Sequence, residues 1–252
     1  MSIGFYTAAA GMLTQQRTIN VLANNLLNHD TPGFRSERVV TTTFEQEMLT
    51  RIENGNTAVI GRGSPLRIMD QVVSDFGSGI LEQTDRPFDF AINGEGYFAI
   101  QGTDNVYLTR NGNFKLDGEG YLELEGIGRV LGENGEIYIG SSDFDVTSDG
   151  YIYDGYGNRV NRLFIVSAQQ AEGLQRTENG LYIAEEALDF GEANMPEGTE
   201  IMQYFLEKSN VNINRELSLI MEAQRNFQAL SKILQGMDEI NRKSATQIAS
   251  LG

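Results

Sequence analysis

The chain has no cysteine among its 252 residues. That excludes disulfides, thiolate metal sites and cysteine nucleophiles, and it leaves the chain indifferent to the redox state of its compartment. Tryptophan is also absent, and the one histidine, His29, has no second imidazole with which to share a metal. Positive charge is scarce: 19 Lys and Arg face 35 Asp and Glu, a formal charge of -16. That field repels nucleic-acid phosphates and anionic membrane surfaces alike, so no nucleic-acid partner is expected. It also keeps a monomer soluble. No stretch approaches the ~18–20 consecutive apolar residues of a membrane-spanning helix, so no membrane insertion is expected. Ser2 to Ala23 carries Gln15, Gln16, Arg17 and Asn20 where a secretory signal needs an apolar core. Any export therefore uses a route without a cleaved signal peptide.

What the chain does contain is enough apolar material for a core, 40% of residues with 9% aromatic, and 28 glycines. Three zones differ in texture. The first, about Ile3 to Leu27, lacks proline. Phe5, Ala8, Met12, Gln15, Ile19, Leu22 and Leu26 recur at spacings of three and four, the seam of a coiled coil interrupted by one polar position. Thr31-Pro32-Gly33 then ends the helix, because proline disfavours helical geometry before it and glycine permits the turn. The last zone, about Asn212 to Ser250, also lacks proline. Ile220, Ala223, Phe227, Leu230, Leu234 and Met237 keep the same rhythm, which continues through Asn241 and Ser244 to Ile248 and Leu251. Ser209, Asn210, Asn212 and Asn214 are candidate caps for its start.

Between about Val72 and Glu200 short apolar or alternating runs are divided by turn dipeptides. The turns are Asn93-Gly94, Asn111-Gly112, Asp117-Gly118, Asn134-Gly135, Asp149-Gly150, Asp154-Gly155 and Asn179-Gly180, all suited to tight hairpins. Strands are predicted at Phe88–Ile92, Tyr97–Gln101, Tyr121–Leu124, Glu136–Ile139, Tyr151–Tyr153 and Arg162–Ser167. Residues 35–71 form a polar connector, helical or extended. The expected class is α+β: a helix over 1–34, an extended connector over 35–71, an antiparallel all-β domain over 72–205 and a helix over 206–252. An amphipathic helix cannot bury its stripe alone. The two terminal helices therefore pair with each other as a coiled-coil-like stalk, or with helices of other subunits. The pattern serves equally well for two core-facing helices of an ordinary globular protein.

Specific strings go further. Ala23-Asn24-Asn25-Leu26-Leu27-Asn28-His29-Asp30-Thr31-Pro32-Gly33-Phe34-Arg35 resembles the N-terminal signature of flagellar rod and hook proteins, with Leu27 where a small residue is usual. Three more strings follow in the family's order. They are Arg86–Phe98, Leu108-Thr109-Arg110-Asn111-Gly112-Asn113-Phe114 (Leu108 replacing the usual Tyr), and Leu206-Glu207-Lys208-Ser209-Asn210-Val211-Asn212 at the start of the last helix. Met221–Phe227 is again similar to the family. The resemblance spans nearly the whole chain and is closest to rod proteins, proximal or distal, that carry a central β domain. It implies a structural, non-enzymatic subunit of the bacterial flagellar basal body, exported unprocessed by the flagellar type III apparatus. It implies self-assembly with copies of itself and with other rod and hook proteins into the axial drive shaft for motility. The terminal helices would form the inner tube and the β domain the outer body. The assembly interface would comprise Phe5, Met12, Ile19, Leu22, Asn24, Asn25, Leu26, Thr31, Gly33 and Phe34 at one end. At the other it would comprise Ser209, Asn210, Val211, Ile220, Phe227, Leu230, Leu234 and Met237. No catalytic residue, cofactor or metal is expected.

Other motifs yield to simpler readings. Asp143 with Asp145, and Glu123 with Glu125, are spaced to share a strand face, but nothing in the spacing indicates a glycosidase cleft. Asp117-Gly118-Glu119-Gly120 and Asp149-Gly150 to Asp154-Gly155 lack the twelve-residue ligand pattern and flanking helices of a calcium loop. Asn93-Gly94-Glu95-Gly96 lacks the following helix of a phosphate loop. Gln15, Asn241 and Ser244 are exposed positions or register markers on the seams. The competing functions are a secreted β-rich enzyme acting on polysaccharide and an adhesin-like binding module.

Overall fold

Two long helices flank a β-rich middle, the α+β architecture that the pattern predicts. The computed structural model describes residues 3–43, 47–53, 56–63, 68–167, 175–177, 180–183, 195–196 and 198–249. Leu251 of the predicted seam and Asn179 of a predicted turn lie outside these residues. Helix α1 is Ile3–Leu27 and helix α2 is Ile213–Ala249. The chain folds into two units. One holds Met1–Leu27, Glu37–Asp75 and Asn212–Gly252, and the other holds Asn28–Ser36 and Phe76–Val211.

In the first unit α1 and α2 run antiparallel. Gly4 faces Met237, Gly11 faces Leu230 and Asn25 faces Glu216. A Cβ on Gly11 would lie 3.1 Å from Leu230 Cδ1, so the missing side chain makes room for the leucine. At ~1.5 Å per residue the 37 residues of α2 extend roughly 55 Å. Asn212 is its cap: Oδ1 accepts from the Arg215 N–H at 3.1 Å, satisfying a donor that the first turn leaves open.

The expected connector is not a bare one. Strand β1 (Glu37–Thr43) pairs antiparallel with β4 (Ile68–Ser74), in register from Glu37 with Ser74 to Thr43 with Ile68. Strands β2 (Glu47–Glu53) and β3 (Asn56–Gly63) form a second hairpin ladder. The β-branched run Val39-Val40-Thr41-Thr42-Thr43, with Val39 opposite Val72, suits a pleated ladder better than a helix.

The second unit is antiparallel throughout. Its largest sheet places 97–101 at the centre, with 106–109 on one side and both 128–132 and 165–166 along the other. Period-two alternation sends Phe98 and Ile100 into one core, where Phe90, Phe114 and Leu122 are also sealed from solvent, and Tyr97 and Ala99 into a second beside Leu108 and Tyr182. The predicted run Arg162–Ser167 divides between two ladders, 159–162 pairing with 151–154 and 165–166 pairing with 97–98. In the Asp117 and Asp154 turns the positive φ falls on Gly120 and Gly157, not on the glycine following the aspartate. The aspartates act there as turn acceptors: Asp117 Oδ1 takes the Glu119 and Tyr121 N–H groups at 2.8 and 2.9 Å.

Candidate functional site

The helical unit keeps much of its apolar surface in water. Of the predicted interface residues, Leu22 is buried. Met12, Ile19, Leu26, Ile220, Phe227, Leu230, Leu234 and Met237 are half-buried, and Phe5 and Asn24 are exposed. Ala8 and Ala223 are the small buried contacts of the seam. Off the seam the contrast sharpens. Leu13 is 72% exposed, Leu27 82%, Ile233 52% and Ile240 65%. A helix pair buries one stripe of each helix, and these side chains lie beside that stripe. The seam pattern alone could not find them, because they fall one residue off its rhythm.

Asn25 anchors the unit. Its Nδ2 donates to the Glu37 carbonyl at 2.8 Å and to Glu216 Oε2 at 3.2 Å, while its Oδ1 accepts the Glu37 N–H at 2.9 Å. Arg38 reaches the other oxygen of Glu216 at 3.5 Å. One fully buried amide thus ties α1 to α2 and to β1, and sets their register at a fixed point, as a buried polar residue does in a coiled coil.

The remaining predicted residues gather elsewhere, inside the second unit. Thr31, Gly33, Phe34, Ser209, Asn210 and Val211 lie there, and Gly33, Phe34 and Asn210 join a charged clasp around Glu207, whose side chain is 1% exposed. Glu207 Oε1 pairs with the Arg35 guanidinium at 2.8 Å and accepts the Gly79 N–H at 2.9 Å. Its Oε2 pairs with Arg110 at 3.4 Å. Arg110 also donates to the carbonyls of Ile92 and Gly94, and Arg35 donates to that of Gly77. The Glu207 carbonyl accepts the Gly33 N–H at 2.7 Å, and Asn210 Oδ1 accepts the Ser36 N–H at 2.8 Å. Arg176 stacks over Phe34 at 4.7 Å and donates to the Arg35 carbonyl. Burial pulls Arg110 below its ordinary pKa, with Glu207 opposing, and burial pushes Tyr97 up beneath it. Gly33 is required twice over: its φ is +68°, and a Cβ there would sit 2.3 Å from the Arg110 carbonyl carbon. Three strings far apart in sequence, 31–35, 108–112 and 206–210, meet at one buried glutamate. Arg35, Arg110 and Glu207 were not assigned a role from sequence. The available signal was a charged residue inside each string.

Two of the acidic motifs considered for chemistry are occupied. Glu123 and Glu125 share the Lys115 ammonium at 3.4 and 3.1 Å. Asp117 completes its turn and pairs with Arg129 at 2.8 Å. Among the described residues no group of three His, Cys, Asp or Glu is placed to hold a metal ion, and no helix is long and apolar enough to cross a membrane. The charge is divided by unit. The helical unit carries ten Lys and Arg against ten Asp and Glu, and the β unit nine against 25.

These features define a two-unit protein in which segments from both ends of the sequence fold into one neutral helical unit and the middle into an acidic β unit. Three family models match it in order: "Flagella basal body rod protein" over residues 5–35, "Flagellar hook protein FlgE/F/G D1 domain" over 91–153, and "Flagellar basal body rod FlgEFG protein C-terminal" over 202–248. The chain is 34% identical to the flagellar basal-body rod protein FlgG of Bacillus subtilis, over 93% of its own length and 95% of that protein's. It is 28% identical to the rod protein FlgF of Caulobacter vibrioides over the whole of both chains. It is 25% identical to the hook-basal body complex protein FlhO of Bacillus subtilis, over 98% of this chain and 99% of the other. The chain belongs to the family of flagellar basal-body rod proteins and is a structural subunit of the rod.

Proposed function

We propose that this subunit joins copies of itself and other rod and hook proteins through its helical unit, forming part of the axial shaft that transmits rotation. It reaches the rod through the flagellar type III export apparatus without a cleaved signal peptide. It catalyses no reaction, binds no nucleic acid and does not insert into the membrane. The observation that carries this reading is the exposed apolar surface of the helix pair on the one unit without net charge. A pair of helices with Leu13, Leu27, Ile233 and Ile240 in water is stabilised when further helices cover it. In this reading the interface is formed by Phe5, Met12, Ile19, Leu22, Asn24, Leu26, Ile220, Phe227, Leu230, Leu234 and Met237 with their exposed neighbours. Asn25 sets the register. Gly33, Phe34 and Asn210 act indirectly, by fastening the clasp, with Thr31, Ser209 and Val211 beside them in the chain.

Deleting residues 230–252 tests this. Assembly and motility should be lost, while tyrosine circular dichroism shows the β unit still folded. Normal motility of cells carrying only the truncated chain would refute the joining role.

A further inference from the structure

The turn dipeptides of the β unit carry a chemistry that the joining role does not use. In an Asn-Gly pair the glycine nitrogen can reach the asparagine Cγ and close a five-membered ring, and the missing Cβ leaves that approach unobstructed. The chain holds five such pairs. Asn54, Gly55 and Asn179 lie outside the described residues, which leaves the pairs at 93, 111 and 134. The reaction is intramolecular, so it depends on how freely the two groups reach a near-attack geometry. Asn111 is locked: its Oδ1 accepts the Asn113 N–H at 3.0 Å, and Gly112 is buried against the Phe90 backbone. Asn93 is exposed, but its backbone is paired with Glu200. Gly94 is held as well, since its carbonyl accepts Arg110 at 2.8 Å and a Cβ there would lie 2.8 Å from Thr199 Cα. Asn134 differs on each count. It is exposed in the two-residue turn that joins 128–132 to 135–136. Its N–H donates to Asn161 Oδ1 at 3.2 Å, while its side-chain amide has no hydrogen-bond partner among the described residues. Gly135 is exposed, forms the last rung of its ladder with Gly132, and has nothing within 4 Å of where a Cβ would stand.

We propose that the folded chain modifies itself at Asn134, through ring closure by Gly135 to a succinimide and hydrolysis of that ring to aspartate and isoaspartate. Hydroxide removes the Gly135 amide proton, the nitrogen forms a bond to Asn134 Cγ, and the Cγ–Nδ2 bond breaks. The Nδ2 group takes a proton from water and leaves as ammonia. A second water then opens the ring, its hydroxyl going to one of the two imide carbonyls and its proton to the nitrogen. Opening at Cγ gives aspartate. Opening at the former backbone carbonyl gives isoaspartate, in which the chain runs through the old side chain and gains one methylene. Either product adds a negative charge between Glu133 and Glu136, which already pair with Arg159 at 3.1 Å and Arg129 at 2.9 Å. Isoaspartate also lengthens the turn. Loop length fixes the register of a hairpin, so the short ladder of 131–132 with 135–136 is weakened there.

Ageing the full folded chain in warm, mildly alkaline buffer tests this, with peptide mapping by mass spectrometry as the readout. The peptide holding Asn134 should gain the mass of an amide-to-acid conversion. Asn93 and Asn111 should convert at least about tenfold more slowly, because packing holds their reacting groups out of line. In urea, where that packing is gone, the three sites should convert at similar rates. Gly135→Ala should slow conversion at Asn134 severalfold and leave Asn93 and Asn111 unchanged. An isoaspartyl methyltransferase should label the 134 peptide of the aged chain and not that of freshly prepared Asn134→Asp, which separates ring opening from an encoded aspartate. Conversion at Asn93 or Asn111 as fast as at Asn134 in the folded chain would overturn the proposal. So would an Asn134 that stays an amide throughout ageing, or one that converts at the same rate after Gly135→Ala.

Discussion

The helical unit and the β unit treat burial in opposite ways. The β unit is complete: Phe90, Phe98 and Phe114 are sealed in its core, and even two arginines and a glutamate are taken out of water as an ion-paired cluster. The helical unit is incomplete: most of its seam is half-buried and its side stripes are open. The charges follow the same division, -16 on the complete unit and none on the incomplete one. A surface meant to stay in water can be heavily charged, since its charges keep their hydration. A surface meant to be covered by like surfaces must be near neutral, because every charge there has to be desolvated or matched.

This contrast predicts where single substitutions act on the folded monomer. The largest effect is expected at Glu207. Glu207→Ala leaves Arg35 and Arg110 buried without a partner and should cost about 3–5 kcal/mol, measured by urea unfolding of the β unit through its tyrosines. Replacing all three together, Arg35→Met, Arg110→Met and Glu207→Leu, should recover most of that loss, because an apolar cluster of similar volume needs no pairing. If the single and triple variants are equally damaged, the loss comes from packing and not from unpaired charge. Gly33→Ala comes next. The left-handed φ and the close approach to Arg110 should together cost about 1–3 kcal/mol, with no compensating gain in the unfolded state large enough to hide it.

In the helical unit the expected order of importance is reversed between stability and association. Asn25→Ala strips Glu37 and Glu216 of buried partners and should cost about 1–3 kcal/mol in the helical unfolding transition. Leu13→Ser should leave the monomer within ~0.5 kcal/mol of the parent, as substitutions of exposed residues do, yet reduce sedimenting oligomers severalfold. A Leu13→Ser chain that melts early but associates normally would break the distinction between a finished and an unfinished unit.

The unfinished unit was the more legible of the two in the sequence. Seam periodicity located both helices, and an absence of proline with Thr31-Pro32-Gly33 at one boundary placed their ends. Its side stripes stayed hidden because Leu13 and Ile240 break the three-four rhythm that identified the seam. The strands of 37–74 were unreadable for a related reason: polar and β-branched residues mix there without clean alternation. In the β unit the hairpin glycines announced the class, but not the topology. Register across a sheet is set by side chains distant in sequence, so nothing local could show that Arg162–Ser167 divides between two ladders. The clasp is the clearest case. Its strings were visible and attributed to assembly, whereas their meeting point at Glu207 depends on three-dimensional closure that spacing does not encode.

The smallest expected effect lies in the acidic turns of the β unit and tests whether its charges contribute to its fold as well as to repulsion. The Asn158 side chain donates to Asp154 Oδ2 at 3.1 Å, and the Asn158 and Tyr156 N–H groups donate to Oδ1 at 2.8 and 3.0 Å. These bonds, the Asn158 side chain foremost, hold the Asp154 carboxyl below the usual carboxylate range. A carboxylate whose pKa is lower folded than unfolded adds stability that is fully present above the unfolded value, about 3.9. That stability is lost as pH falls through the lower, folded value. Asp154→Asn keeps an acceptor for the turn but cannot ionise. The parent should therefore exceed the variant in stability at pH 7 by a small margin that shrinks as pH falls through the lowered folded value. A margin unchanged at acid pH would assign the difference to turn geometry and leave the charge at Asp154 with repulsion between copies as its only effect.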